Sequence, residues 1–429
     1  MRLVSFFAFF VLSLNSFAQS LYFPPVTGTT WETTSPASLG YCPDKITELY
    51  NFLETNQSKA FILLKDGKIV LEQYFNGFQP NDNWYWASAG KTLTAFTVGI
   101  AQQEGFLSIQ DTTSHYLGNG WTSASLIQEE KITIKNQLNM TTGLDFTQGN
   151  LDCTLPSCLQ YLADAGTLWY YHNAPYTLLD QVIATATGQT LNQYYIQKVR
   201  NPIGMNGAFF QVDQNNVFFS TPRSMARFGL LMLNNGSWGN TPIMTDNTYF
   251  QEMINTSQPH NLSYGYLWWL NGKSSFKVPG STLTFPGFLM PNAPADTYLA
   301  AGKNGQFLSI TPSDGLVWIR MGDSPDNLPV PFLLNNQIWE KINALVCDLS
   351  TPTVDVSELW RIAPNPVVED ITIETNLSNY DWELYTSHLQ LLTQGNQEFT
   401  PQLSKFSSGI YWLKFQSGDF VKWHKVIKK

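Results

Sequence analysis

The chain has 429 residues, enough for more than one domain and a large core, and a net charge of −9 with only 13% charged residues. An acidic, sparsely charged surface argues against nucleic acid as a partner. Its 14 Trp and 19 Tyr suit an aromatic-lined cleft, although packing accounts for most aromatics in most proteins.

The N-terminus opens with Met1-Arg2 and a short apolar run, and Ser16-Phe17-Ala18 supplies small residues for cleavage. Residues 1–18 therefore read as a signal peptide, too short to span a bilayer. Export permits disulfides, and four cysteines allow three pairings. The turn-forming Thr154-Leu155-Pro156-Ser157 separates Cys153 from Cys158, so those two can close a small loop. Cys42 opens the first helix and Cys347 ends the last helix of the main domain. Antiparallel packing of those helices would bring them together, and the favoured pairing is Cys153–Cys158 with Cys42–Cys347. The five His are scattered and no Cys/His spacing resembles a zinc site, so neither metal nor cofactor is expected.

Residues 44–54 place Ile46, Leu49, Tyr50 and Leu53 on one helical stripe. Residues 60–64 and 68–73 flank Asp66-Gly67, a strong hairpin signal. Next comes Ser88-Ala89-Gly90-Lys91. A serine followed one helical turn later by a lysine puts a nucleophile and a proton acceptor on one face. Serine needs such a base, and lysine can serve only if its pKa falls toward neutrality. Residues 92–104 read as helix and stop at Gly105, so Ser88 sits near a helix N-terminus, where negative charge is favoured.

Residues 110–250 read as mainly helical, with loops at Gly118-Asn119-Gly120 and at 234–239. Strands follow at 297–301, 307–311 and 316–321, with turns at Asn304-Gly305 and Ser313-Asp314-Gly315, and 333–346 closes the unit as a helix. Strands at both ends of a helical block imply one sheet completed by distant segments, with a cleft between sheet and insert. Residues 351–359 are linker-like. Residues 360–429 change to short strands at 371–374, 382–385, 410–415 and 420–426, a separate β module ending in Lys425, Lys428 and Lys429.

Four segments together resemble the β-lactamase-related serine hydrolases: class C β-lactamases, D-alanyl-D-alanine carboxypeptidases, related esterases and 6-aminohexanoate-oligomer hydrolases. Ser88-Ala89-Gly90-Lys91 matches the Ser-x-x-Lys motif. Ile132-Thr133-Ile134-Lys135, leading to Met140-Thr141-Thr142-Gly143-Leu144, matches the structural stretch that follows. Tyr171-His172-Asn173 matches Tyr-x-Asn, with Asn201-Pro202-Ile203-Gly204-Met205 beyond it. Lys303-Asn304-Gly305 stands where the family has Lys-Thr-Gly. Each triplet alone says little, but their joint order is specific.

The resemblance implies an α/β fold, a β-lactamase-like sandwich of antiparallel sheet and flanking helices with a helical insert, over residues 19–350. It makes Ser88 the acylated nucleophile, with Lys91 and Tyr171 handling its proton, and leaves open which of them is the base. Lys303 would add positive potential that lowers both their pKa values and draws a substrate carboxylate. Asn173 would bond the substrate's carbonyl or amide, and the amides of Ser88 and Gln306, the latter after Gly305, would form the oxyanion hole. His172 is a bystander, because no Gly-x-Ser-x-Gly elbow surrounds Ser88. Asn304 and Gln306 depart from the β-lactamase pattern and lean toward the esterase and aminohexanoate-hydrolase branches.

In the tail, Ala363-Pro364-Asn365-Pro366, Ser408-Gly409-Ile410-Tyr411 and the terminal Lys425-Val426-Ile427-Lys428-Lys429 resemble the C-terminal sorting domain of the type IX secretion system. The resemblance implies an address read by that machinery and a secreted or cell-surface protein. A carbohydrate-binding β-sandwich is the bland alternative for this module. The expectation is an exported serine hydrolase acting on a small amide or ester. The rivals are a penicillin-binding carboxypeptidase or β-lactamase, and a non-catalytic surface-binding protein on the same fold.

Overall fold

The computed structural model describes residues 21–324, 328–347 and 360–429, apart from 376, 378, 388, 389 and 419. The expected signal peptide and the expected linker at 351–359 lie outside the described residues. The chain divides into two compact units at the Cys347–Asp348 boundary.

In the first unit, helix α1 (Pro43–Thr55) starts with Pro at its first position and Asp44 in its first turn, and buries Leu49 and Leu53. Strands β1 (Ser58–Lys65) and β2 (Lys68–Tyr74) form the hairpin that Asp66-Gly67 signals, with both turn residues at positive φ. Gly67 has no room for a side chain, since a Cβ would come 1.9 Å from the Tyr22 carbonyl oxygen. The short β3 (Trp84–Tyr85) leads into a 3-10 turn, Ala87–Gly90, and then helix α2 (Lys91–Gln103). Helix α2 is buried around its whole circumference from Lys91 to Ala101, which fits a helix enclosed between the sheet and the insert.

The insert is less helical than its composition suggests. Residues 139–172 run largely as loop, and β4 (Ala208–Val212) and β5 (Asn215–Ser220) form a hairpin that also pairs with β3. Phe209, Val217 and Phe219 flank a turn at Asp213, whose φ is 54°, and this alternation around a turn favours strands over helix. Helix α3 (Pro222–Leu233) then lies on the sheet, and Gly229 allows the close approach, because a Cβ there would sit 2.5 Å from Val317. Strands β6 (Trp269–Leu270), β7 (Tyr298–Gly302), β8 (Gln306–Thr311) and β9 (Leu316–Gly322) complete one antiparallel sheet in the order β2-β1-β9-β8-β7-β6. Helix α4 (Phe332–Asn343) packs against α1. Distant segments thus share one sheet, as expected, and the central strands are buried along their length.

Cysteines close the unit: Cys42 and Cys347 are bonded with Cα atoms 5.1 Å apart, and Cys153 and Cys158 with Cα atoms 5.9 Å apart. The second unit is all β. A hairpin of Trp360–Ala363 and Thr372–Thr375 accompanies a four-stranded antiparallel sheet of Asp381–Thr386, Leu391–Asn396, Gly409–Ser417 and Phe420–Lys428. Its small core gathers Trp382, Leu384, Leu403, Leu413, Phe415 and Val426.

Candidate active site

Ser88 stands in the Ala87–Gly90 turn, between β3 and α2. The turn is pinned from both sides. Trp86 is fully buried, its amide donates to Phe218 O at 2.8 Å and its indole donates to Ser220 Oγ at 2.9 Å. The Thr92 hydroxyl donates to Ala89 O at 2.8 Å, tying the turn to the first residues of α2. Ala87 adopts φ 47°, a conformation that costs a residue with a side chain of order 1 kcal/mol or more and persists only where surroundings enforce it.

Lys91 follows at the start of α2 and is 4% exposed. Its Nζ donates to Ser88 Oγ at 2.8 Å. The ammonium also lies 5.1 Å from the centre of the Tyr171 ring and 4.5 Å from that of Tyr176. Burial disfavours the charged form, pulling Lys91 down to about 7, and the Asp152 carboxylate opposes that fall. Lysine is therefore poised to give and take a proton near neutrality.

Tyr171 comes from a different stretch. Its ring stacks on Trp269, centroids 5.7 Å apart at 21°, and meets Tyr264 edge-on. This packing fixes the phenol so that its hydroxyl and Ser88 act on one another. Burial raises Tyr171 above its ordinary value, the nearby Ser88 hydroxyl opposes the rise, and the Asp152 charge adds to it. The phenol thus stays protonated at neutral pH, contrary to the expected lowering. Ser88, Lys91 and Tyr171, separated by up to 83 residues in sequence, meet in space.

Lys303-Asn304-Gly305 does not stand where the motif reading puts it. The triplet forms the turn between β7 and β8. Gly305 faces Arg320, Phe307 and Leu334, and its carbonyl accepts from Arg320 Nη1 at 2.9 Å. Gln306 is buried, and its side chain clamps the backbone of Gly322, donating to the carbonyl at 2.6 Å and accepting from the amide at 3.0 Å. The residue against the nucleophile is Gly302, at the end of β7: a Cβ there would lie 3.1 Å from Ser88 N and 2.4 Å from Trp86 O. Gly302 on the strand, rather than Gln306 after the turn, is therefore the residue of this segment that the structure brings against Ser88. The Lys303 side chain is exposed, and the fall of the Lys91 pKa comes from burial rather than from Lys303.

Asn173 begins the helix Asn173–Thr177 and its Nδ2 donates to Asp152 Oδ1 at 2.7 Å. Asp152 is absent from the motif reading. Its adjacency to Cys153 in the small disulfide loop was the available signal, but only the folded loop carries it to Asn173. His172 is buried and held neutral down to about 4 by that burial, with the carboxylates of Asp145 and Asp152 opposing. Among the described residues, the side-chain hydrogen bond found for Ser88 is that from Lys91, and the other side chain that acts with it is Tyr171.

Comparison with known proteins places this arrangement. Residues 55–340 match the family model described as Beta-lactamase, and residues 361–429 match the one described as Secretion system C-terminal sorting domain. An uncharacterised protein of Alkalihalophilus pseudofirmus is 23% identical over 306 residues, spanning 62% of this chain and 83% of that one. Similar solved structures include a penicillin-binding protein homologue from Caulobacter crescentus, with TM-score 0.55 and 13% identity over 71% of this chain and 98% of that one. Another is a family VIII carboxylesterase, with TM-score 0.54 and 15% identity over 71% and 99%. Likeness at that identity shows the fold. The sorting domain indicates export, to the cell surface or beyond, and interaction with the secretion machinery. The chain belongs to the β-lactamase family, whose members are serine hydrolases, and carries a secretion system C-terminal sorting domain.

Proposed function

We propose that the protein hydrolyses a small amide or ester through an acyl-enzyme on Ser88. The observation that carries this reading is the 2.8 Å contact between a serine hydroxyl and a lysine buried enough to titrate near neutrality. Neutral Lys91 takes the Ser88 proton as Oγ bonds to the acyl carbon. The oxyanion that forms sits against the amides of Ser88 and Lys303, at the place where Gly302 closes on the turn. Collapse breaks the bond to the leaving group, which receives the proton held by Lys91, relayed through the Tyr171 hydroxyl. Water then attacks the acyl-enzyme, losing its proton along the same path, and frees Ser88.

Lys91 is the base in this scheme because burial moves the two groups in the useful directions. The amine goes down toward neutrality, while the phenol goes up and serves as a neutral donor and relay. Purified protein offered chromogenic esters, anilides and a fluorescent penicillin tests the reading. Turnover of an ester or amide that vanishes in Ser88→Ala supports it. Stable penicillin labelling with no ester or amide turnover would favour the penicillin-binding rival.

A further inference from the structure

Asp152 lies outside every motif, yet it bonds the motif residue Asn173 and its charge acts on Lys91 and Tyr171. Asn173 Nδ2 donates to Asp152 Oδ1 at 2.7 Å. Only the nitrogen of a carboxamide can donate to a carboxylate, so this bond decides which way round the Asn173 amide stands. The Asn173 oxygen is left buried, with no partner among the described residues. The carboxylate is itself held in place. The Ala174 amide donates to Leu151 O at 2.8 Å, the Asp152 amide donates to Asn150 Oδ1 at 3.0 Å, and the next residue opens the Cys153–Cys158 disulfide loop.

The polar groups facing Lys91 are the Ser88 hydroxyl, the Tyr171 and Tyr176 phenols and the Asp152 carboxylate. Of these, Asp152 brings negative charge, because burial keeps both phenols protonated. His172, with Asp145 and Asp152 acting on it, is neutral at working pH.

We propose that Asp152 is a positioning residue: it locks the Asn173 carboxamide with its nitrogen occupied and its oxygen spare, and it sets a negative charge opposite Lys91. The disulfide-closed loop is its mount, so the contribution depends on the Cys153–Cys158 bond. This inference rests on the Ser88 acyl-enzyme reading, in which Lys91 must shed its proton before it can activate Ser88. Asp152 favours the protonated amine and so opposes the effect of burial. Without that charge Lys91 deprotonates at lower pH, while Asn173 loses its fixed orientation.

The test is the rate of fluorophosphonate labelling of full-length protein between about pH 5 and 9. Wild type is compared with Asp152→Asn, Asp152→Ala and the double variant Cys153→Ser/Cys158→Ser. Asp152→Asn should label at least about tenfold more slowly at its optimum, the scale expected for a misplaced orienting group, with the rising limb moved to lower pH. The double serine variant should label more slowly than wild type at an unchanged far-ultraviolet circular dichroism spectrum. If Asp152→Ala fails to fold, the near-isosteric Asp152→Asn still decides the matter. Wild-type rate and limb in Asp152→Asn overturn the proposal, and so does a slower rate with an unmoved limb. Labelling of wild type that is lost in Ser88→Ala upholds the nucleophile whatever Asp152 does. A wild type that never labels removes both.

Discussion

Gly302 closes directly on the turn that bears Ser88: a Cβ at Gly302 would lie 3.1 Å from the Ser88 amide nitrogen and 2.4 Å from Trp86 O. Backbone meets backbone there, at the place where the proposed mechanism seats the oxyanion. Gly302→Ala should therefore push strand and turn apart and lower the Ser88 labelling rate by at least about a hundredfold, the usual cost of spoiling an oxyanion site. Overpacking should cost about 1–3 kcal/mol of stability as well, read as a lower melting temperature. An alanine variant that labels like wild type would dissociate Gly302 from the chemistry.

Lys91 trades stability for reactivity. Its ordinary value is 10.5 and burial brings it to about 7. Above both values neither the folded nor the unfolded chain carries the proton, and burial costs nothing. As pH falls through 10.5 the unfolded chain gains a proton that the folded chain refuses, so stability declines until about 7 and then levels off. Lys91→Met should accordingly slow labelling by at least about a hundredfold while stabilising the fold at pH 7 by an amount on the order of a few kcal/mol. The gain should shrink as pH approaches 10.5. Denaturant melts of both proteins at the two pH values check the sign.

Tyr171 and His172 are neighbours in sequence with opposite expectations. Tyr171→Phe keeps the stacking on Trp269 but removes the hydroxyl that reaches Ser88, and should slow labelling by at least about a hundredfold. His172→Gln should leave the rate within about threefold, since the imidazole is neutral and outside the partners found for Ser88, with any loss arising from packing. The reverse ranking would restore a histidine base.

The Cys42–Cys347 bond staples the two ends of the hydrolase unit across 305 residues. Backbone pairing holds the same place, with Cys42 N donating to Leu345 O at 2.9 Å and Cys347 N donating to Gly40 O at 2.7 Å. Cys42→Ser with Cys347→Ser should thus lower stability by about 2–4 kcal/mol without altering the labelling rate at room temperature.

The sequence shows Ser88, Lys91 and Tyr171 because each stands in a short motif whose order survives at low identity. It shows the hairpin at Asp66-Gly67 and the sheet's late strands because turn chemistry and alternation are local signals. Gly302 is missed for a specific reason. Lys303-Asn304-Gly305 copies the shape of the expected triplet three residues too late, in the turn rather than on the strand, and only the β7–β8 register reveals this. The small residues Ala300 and Ala301 before Gly302, at the end of a buried strand, were the available hint. Asp152 offers only its adjacency to Cys153 as a hint. Its role depends on a loop fold and a disulfide that bring it to a residue 21 positions away.

Everything mechanistic here depends on Ser88 being an acylatable nucleophile. The direct measurement is peptide mass spectrometry after exposure of the full-length protein to a fluorophosphonate. One adduct is expected, on the peptide containing Ser88, absent in Ser88→Ala and slowed in Lys91→Ala. An unmodified Ser88 peptide from folded wild-type protein, or an adduct elsewhere that persists in Ser88→Ala, would contradict it.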